Sequence, residues 1–118
     1  MEITSTPIRD KSNAFRVFFD KALTADGRPA PIDVVGLLEH VDDDVCEVTL
    51  TKGDLSNEVN IEIGLEAIRL GYKKLEFHRS MGGLATRWAT LVRRADGMDY
   101  YHVDLEKAVK TYEMRGNS

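Results

Sequence analysis

Apolar and polar positions along the chain change period several times, and each change marks an element. Residues Lys73 to Arg79 alternate, with Leu75 and Phe77 on one side and Lys74, Glu76 and His78 on the other, which predicts a strand. Val45 to Thr51 alternates in the same way, setting Cys46, Val48 and Leu50 against Glu47, Thr49 and Thr51. Ile32 to Val41 is rich in Val and Leu and predicts another strand. The acidic turn HVDDDV between these two makes them an antiparallel hairpin. Met98 to Leu105 predicts a further strand, with Tyr101, Val103 and Leu105 on one face and Tyr100, His102 and Asp104 on the other. Glu2 to Ile8 is a short first strand limited by Pro7.

Helical spacing fills the intervals. The organising stretch runs from Asp54 to Arg79, a helix followed by the strand already named. Asp54, Ser56 and Asn57 are cap residues, Glu58 suits the positive end of a helix dipole, and Gly71 supplies a left-handed stop. Ile61, Leu65, Ile68 and Tyr72 then form its predicted buried face. Val59, Ile61 and Ile63 also alternate with Asn60 and Glu62, so residues 58–63 fit a strand as well; the caps favour the helix. Phe15, Phe18, Phe19, Ala22 and Leu23 predict a helix after a cap at Ser12 or Asn13. Leu84 to Ala95 predicts another, with Leu84, Trp88, Leu91 and Val92 inward and Asp96-Gly97 ending it. Glu106 to Met114 predicts a last helix capped by Asp104, and residues 115–118 a frayed tail. Ala25 to Pro31 is a loop punctuated by Asp-Gly and two prolines.

The predicted fold is therefore α+β, a mixed β-sheet with packed helices in the order β-α-β-β-α-β-α-β-α, forming a single domain over 1–118. A length of 118 residues with 42% hydrophobic content suits one modest core. No apolar run approaches the roughly 20 residues of a membrane span, and the opening MEITSTPIRD has no apolar signal segment, so neither membrane nor export is expected. The lone Cys46 excludes an internal disulfide and fits a reducing, cytoplasmic setting. The net charge of −4 is unevenly placed: residues 1–66 carry 14 acidic and 6 basic side chains, residues 67–118 carry 6 and 10. Such polarity suits a charged protein partner or self-association, unless the halves intermix in the fold.

Candidate chemistry lies on two strand faces. Glu76 and His78 share one, and Tyr100, His102 and Asp104 share another; neighbouring strands would bring them together for general acid–base work, although a solvated sheet face has the same pattern. His40, Cys46, His78 and His102 lack ligand spacing, so no metal is expected, and Cys46 reads as a small core residue. Lys52, Gly53, Arg79, Arg87, Arg93 and Arg94 are the candidate ligand- or partner-binding residues. Nucleic acid is not expected, because an acidic chain needs a segregated basic patch for it.

The element order resembles a minimal N-acetyltransferase of the GNAT superfamily. Thr49 to Tyr72 resembles that fold's central strand and the helix that holds the acetyl-coenzyme A pyrophosphate; Ala89, Val92, Gly97 and Met98 fall on its final-helix pattern. Two departures stand out. The family's glycine-rich loop, Arg/Gln-x-x-Gly-x-Gly/Ala, here reads Lys52-Gly53-Asp54-Leu55-Ser56-Asn57, with one glycine and an acidic residue. Arg93 aligns with the tyrosine that often protonates the departing thiolate, and a guanidinium is a poor donor. Small degenerate chains of this kind resemble bacteriophage accessory or virion proteins. The resemblance thus implies a non-catalytic protein-interaction module without a cofactor, located in a host cell or virion. The alternative is a CoA-dependent N-acetyltransferase using acetyl-CoA, with Glu76 or His78 as base; a third reading is a phosphate or nucleic-acid binder through an Arg87–Arg94 helix.

Overall fold

The computed structural model describes residues 1–9, 11–53, 56–80 and 89–116. Seven strands and two helices follow in the order β1 (Glu2–Arg9), β2 (Ser12–Phe18), β3 (Val34–His40), β4 (Val45–Lys52), α1 (Asn57–Arg69), β5 (Lys74–Ser80), β6 (Ala89–Ala95), β7 (Met98–Asp104) and α2 (Leu105–Gly116). All seven strands form one mixed sheet in the spatial order β1-β2-β3-β4-β5-β7-β6. Every neighbouring pair is antiparallel except β4–β5, which is parallel and joined through α1. The α+β class and the mixed sheet agree with the sequence pattern, as do the β3–β4 hairpin, β5 and β7.

Two segments read as helices are strands. In β2, Phe15 and Val17 alternate into the core, whereas Phe19 and Leu23, counted in the helical stripe, are 55% and 59% exposed. Two periods compete in this stretch, and a β-branched Val17 between two paired neighbours settles it as a strand. Lys11, at φ 60, turns β1 directly into β2. Residues 84–88 of the other predicted helix lie outside the described residues, and 89–95 form β6. Asp96 and Gly97 both have positive φ, 52 and 77, and Ala95 pairs with Met98. Asp-Gly is therefore a two-residue hairpin turn here, the geometry that matches strand twist. The match of Ala89 and Val92 to a final-helix pattern consequently falls on a strand.

α1 is a helix throughout residues 58–63. Ser56 caps it, its Oγ accepting from the Val59 amide at 3.2 Å. Its buried face is Val59, Ile63 and Ala67, not the predicted one; Leu65 and Ile68 are 39% and 38% exposed. Glu66 on the same side is buried and accepts from Ser5 of β1 at 3.0 Å and from Arg69. Asp104 caps α2 as predicted, accepting from the Lys107 amide at 3.1 Å. Both helices pack on one sheet face, where Phe15, Val17, Val34, Leu38, Cys46 and Leu75 meet Val59, Ile63, Ala67 and Leu105. Among the described residues no helix is long and apolar enough to cross a membrane.

Gly36 is required by packing. A Cβ there would sit 2.5 Å from the Thr49 carbonyl oxygen and 2.6 Å from the Phe15 ring, which lies over the glycine. Gly36→Ala is expected to destabilise the fold by about 1–3 kcal/mol. Gly64, inside α1, has room: its Cβ would meet only Leu105 Cδ2, at 3.4 Å. Gly64→Ala is expected to stabilise by about 0.5–1 kcal/mol. Urea unfolding midpoints of the two variants check both signs.

Candidate functional site at the parting of two parallel strands

The parallel pair defines the site. β4 and β5 pair only through Val45–Lys74, Cys46–Leu75 and Glu47–Glu76, although both strands run on beyond these residues. Beyond Glu47 and Glu76 the ladder ends, and the facing backbone groups of 48–52 and 77–80 leave their mutual pairing. The carboxyl ends of parallel strands are where open sheets receive ligands. α1 is the next element after β4, so its N-terminus, with its positive dipole end and first-turn amides that lack an intrahelical partner, lies beyond the carboxyl end of β4.

A polar row crosses the sheet at the closed end of the parting. Ser12, Glu39, Glu47, Glu76, His102 and Thr90 are successive cross-strand partners from β2 to β6. Partners across a ladder share a face, and this face is opposite the helices, since Cys46 and Leu75 of the same strands enter the core. Glu76 is at the centre and only 1% exposed. Arg93 donates to it through both terminal nitrogens, at 2.7 and 3.3 Å, and His102 Nε2 lies 3.0 Å from Oε1.

The two carboxyls at the parting are driven apart. Burial acts to raise Glu76, but hydrogen bonds from Arg93, His102 and Glu47 outweigh it and hold its pKa below the ordinary value. Glu47 is pushed up, first by burial, then by its hydrogen bond to Glu76 and repulsion from that charge; His78 acts in the opposite sense. Glu76 is thus the fixed anion and Glu47 the group that holds a proton at higher pH.

Sequence-derived candidates divide clearly. Glu76, His78, Tyr100 and His102 are brought together on one face: His78 opposes Tyr100 across the β5–β7 ladder with ring centroids 5.5 Å apart, and the Arg93 guanidinium lies 4.1 Å above the Tyr100 ring. Glu47 was not among them. Alternation placed it opposite Cys46, but nothing local signals that β4 lies beside β5 with Glu47 against Glu76.

Among the described members of the basic set, Arg93 stands on one sheet face, while Arg79 and Arg94 flank Asp99 on the other. Arg93 and Arg94 are in a strand and turn to opposite faces, Arg93 to Glu76 and Arg94 Nε to the buried Asp99 at 2.8 Å. Arg79 lies over Phe77 on the helix-bearing face, 5.2 Å from the ring centroid. Arg87 and Trp88 lie outside the described residues, as do Asp54 and Leu55 of the loop. Lys52 is exposed at the mouth of the parting. Gly53, at φ 110, passes so close to Asp33 and Val34 that a Cβ would be 2.7 Å from the Asp33 carbonyl oxygen.

Among the described residues no three His, Cys, Asp or Glu side chains are grouped to hold a metal ion. His40 instead bonds Tyr72, Nδ1 to hydroxyl 3.0 Å. Burial pushes the Cys46 thiol up to about 12, so it is no thiolate nucleophile near neutral pH.

The carboxyl pair dictates a pH dependence. Glu76, with a lowered folded pKa, contributes stability that is present above the ordinary 4.5 and lost as pH falls through the folded value. Glu47, with a raised folded pKa, contributes stability that is present below 4.5 and lost as pH rises through its folded value. Glu47→Gln keeps a donor to Glu76 but has no proton to lose. In urea titrations the stability that wild type gains from Glu47 should be lost as pH rises above 4.5 through that group's folded pKa, and the variant should not show this loss.

The sequence matches no family model and no curated protein. Solved structures do match the fold. The Campylobacter jejuni N-acetyltransferase PseH in complex with acetyl coenzyme A aligns with a TM-score of 0.58 and 16% identity, over 81% of this chain and 70% of that one. A GNAT family acetyltransferase from Elizabethkingia anophelis with acetyl-CoA bound aligns with a TM-score of 0.58 and 11% identity, over 87% of this chain and 97% of that one. PseH described without the coenzyme aligns with a TM-score of 0.52 at 13% identity. At these identities the likeness shows the fold, which is GNAT-like. It also corrects the expectation of a non-catalytic interaction module or phage accessory or virion component. The structures named here are described as acetyltransferases, two of them with acetyl-CoA bound. The third expectation, a binder built on an Arg87–Arg94 helix, has no support where residues 89–95 are a strand.

Proposed function

We propose that the chain is a CoA-dependent N-acyltransferase, the acyl donor lying in the parting between β4 and β5. The observation that carries this reading is the end of the parallel ladder at Glu47–Glu76, with the N-terminus of α1 beyond the carboxyl end of β4. The residues fit such a donor. The backbone of 48–52 and 77–80 suits an extended arm with amide groups of its own. Free amides at the start of α1 suit a pyrophosphate, and the exposed Lys52 adds a cation at the same end.

Acyl transfer to an amine requires a group that takes a proton from nitrogen. Glu47 fulfils this better than Glu76. Its raised pKa brings it nearer the working range of a general base, whereas Glu76 is a weaker base held by three donors. Glu76 serves as the positioning residue: it accepts a hydrogen bond from Glu47 once Glu47 has taken up the proton, and is itself fixed by Arg93 and His102. The pairing follows a general pattern in which two carboxyls with separated pKa values divide the work.

Titration calorimetry with acetyl-CoA should give micromolar affinity, and no heat at millimolar ligand would remove the reading. Glu47→Gln should leave that affinity unchanged while lowering amine acylation by on the order of 10²–10⁴-fold. Lys52→Glu should weaken acetyl-CoA binding, and the weakening should shrink as salt is raised.

A further inference from the structure

An amine acylation by a thioester needs two proton movements, and Glu47 accounts for one. The amine attacks the carbonyl carbon, the C–S bond breaks with its electron pair going to sulfur, one proton leaves nitrogen and one must reach the thiolate. Arg93 cannot supply it. Its guanidinium is fixed on Glu76 and stays protonated in proteins.

His78 has the one buried side-chain polar atom without a partner among the described residues, Nδ1. A buried imidazole nitrogen left without a hydrogen bond is costly unless a ligand meets it. His78 follows Glu76 by two residues and so lies on the same face, about 7 Å further along β5. That position is past the last β4–β5 pair, on the flank of the parting. Tyr100 backs the ring from β7, which orients it without using Nδ1. His78 is also close enough to Glu47 for its charge to act on that carboxyl.

Resting on the acyltransferase reading, we propose that His78 is the proton donor to the departing thiolate, acting through Nδ1. Glu47 takes the proton from the amine as His78 gives its own to sulfur. The products are an amide and a free thiol. The imidazole then recovers its proton from Glu47 through solvent, so the cycle closes without a further reactant. Imidazole suits this role because it both gives and takes a proton near neutrality.

Two measurements test it. In the wild type, ¹⁵N-imidazole NMR should show the His78 Nδ1 signal shift on adding coenzyme A, and stay in place on adding desulfo-coenzyme A, which lacks only the sulfur. Equal shifts with both, or none with either while both bind, overturn the proposal. The second measurement uses leaving-group dependence. His78→Asn should bind acetyl-CoA as the wild type does but turn it over on the order of 10²-fold more slowly. Its turnover of an acetyl thioester of a thiophenol, whose thiolate needs no protonation, should fall less than threefold. Equal losses on both thioesters, or this pattern in Tyr100→Phe instead, overturn the assignment of His78 alone. Failure of the wild type to bind either coenzyme overturns the acyltransferase reading beneath it.

Discussion

A carboxylate buried to 1% exposure in the middle of a sheet is the constraint on which the rest of the structure depends. Such a charge is tolerated only with partners, and Glu76 draws them from three other strands: Glu47 on β4, His102 on β7 and Arg93 on β6. The cluster therefore sets register. A one-residue slip of β5 would carry Glu76 to the apolar face beside Cys46 and bring Leu75 out of the core. It also fixes where β4 and β5 hold together, and so where they begin to part.

Core and site are the two faces of the same strands. Cys46 and Leu75 meet α1 on one side, while Glu47 and Glu76 meet each other on the opposite side one residue later. α1 belongs to both functions. Val59, Ile63 and Ala67 complete the core, and the Ser56 cap sets where its first turn begins and thus where its free amides stand. Glu66, Ser5 and Arg69 tie the helix to β1, a strand far across the sheet.

Much of this was legible in the residues. The β3–β4 hairpin, β5 and β7 follow from alternation, and the starts of α1 and α2 follow from Ser56 and Asp104. Glu76, His78, Tyr100 and His102 could be named because alternation shows which residues share a face. What local pattern lacks is the identity of neighbours. Glu47 became a site residue only because β5 crosses back to lie parallel to β4. The misread segments share a cause: residues 15–18 and 89–95 belong to stretches with helical spacing, and tertiary pairing overrides it there. Asp96-Gly97 ends a helix or turns a hairpin equally well from composition; the pairing of Ala95 with Met98 makes it the hairpin. Arg93 looked like one of a basic run, and the bulge between Leu91 and Arg93 is what turns it onto Tyr100 and Glu76.

Amide hydrogen exchange, followed residue by residue with and without acetyl-CoA, tests the placement of the donor most directly. Amides on the facing edges of 48–52 and 77–80, and those of the first turn of α1, should slow when the ligand is added, while the β1–β2 hairpin stays unchanged. Slowing that is absent from both edges, or confined to the outer strands, would contradict a donor site between β4 and β5.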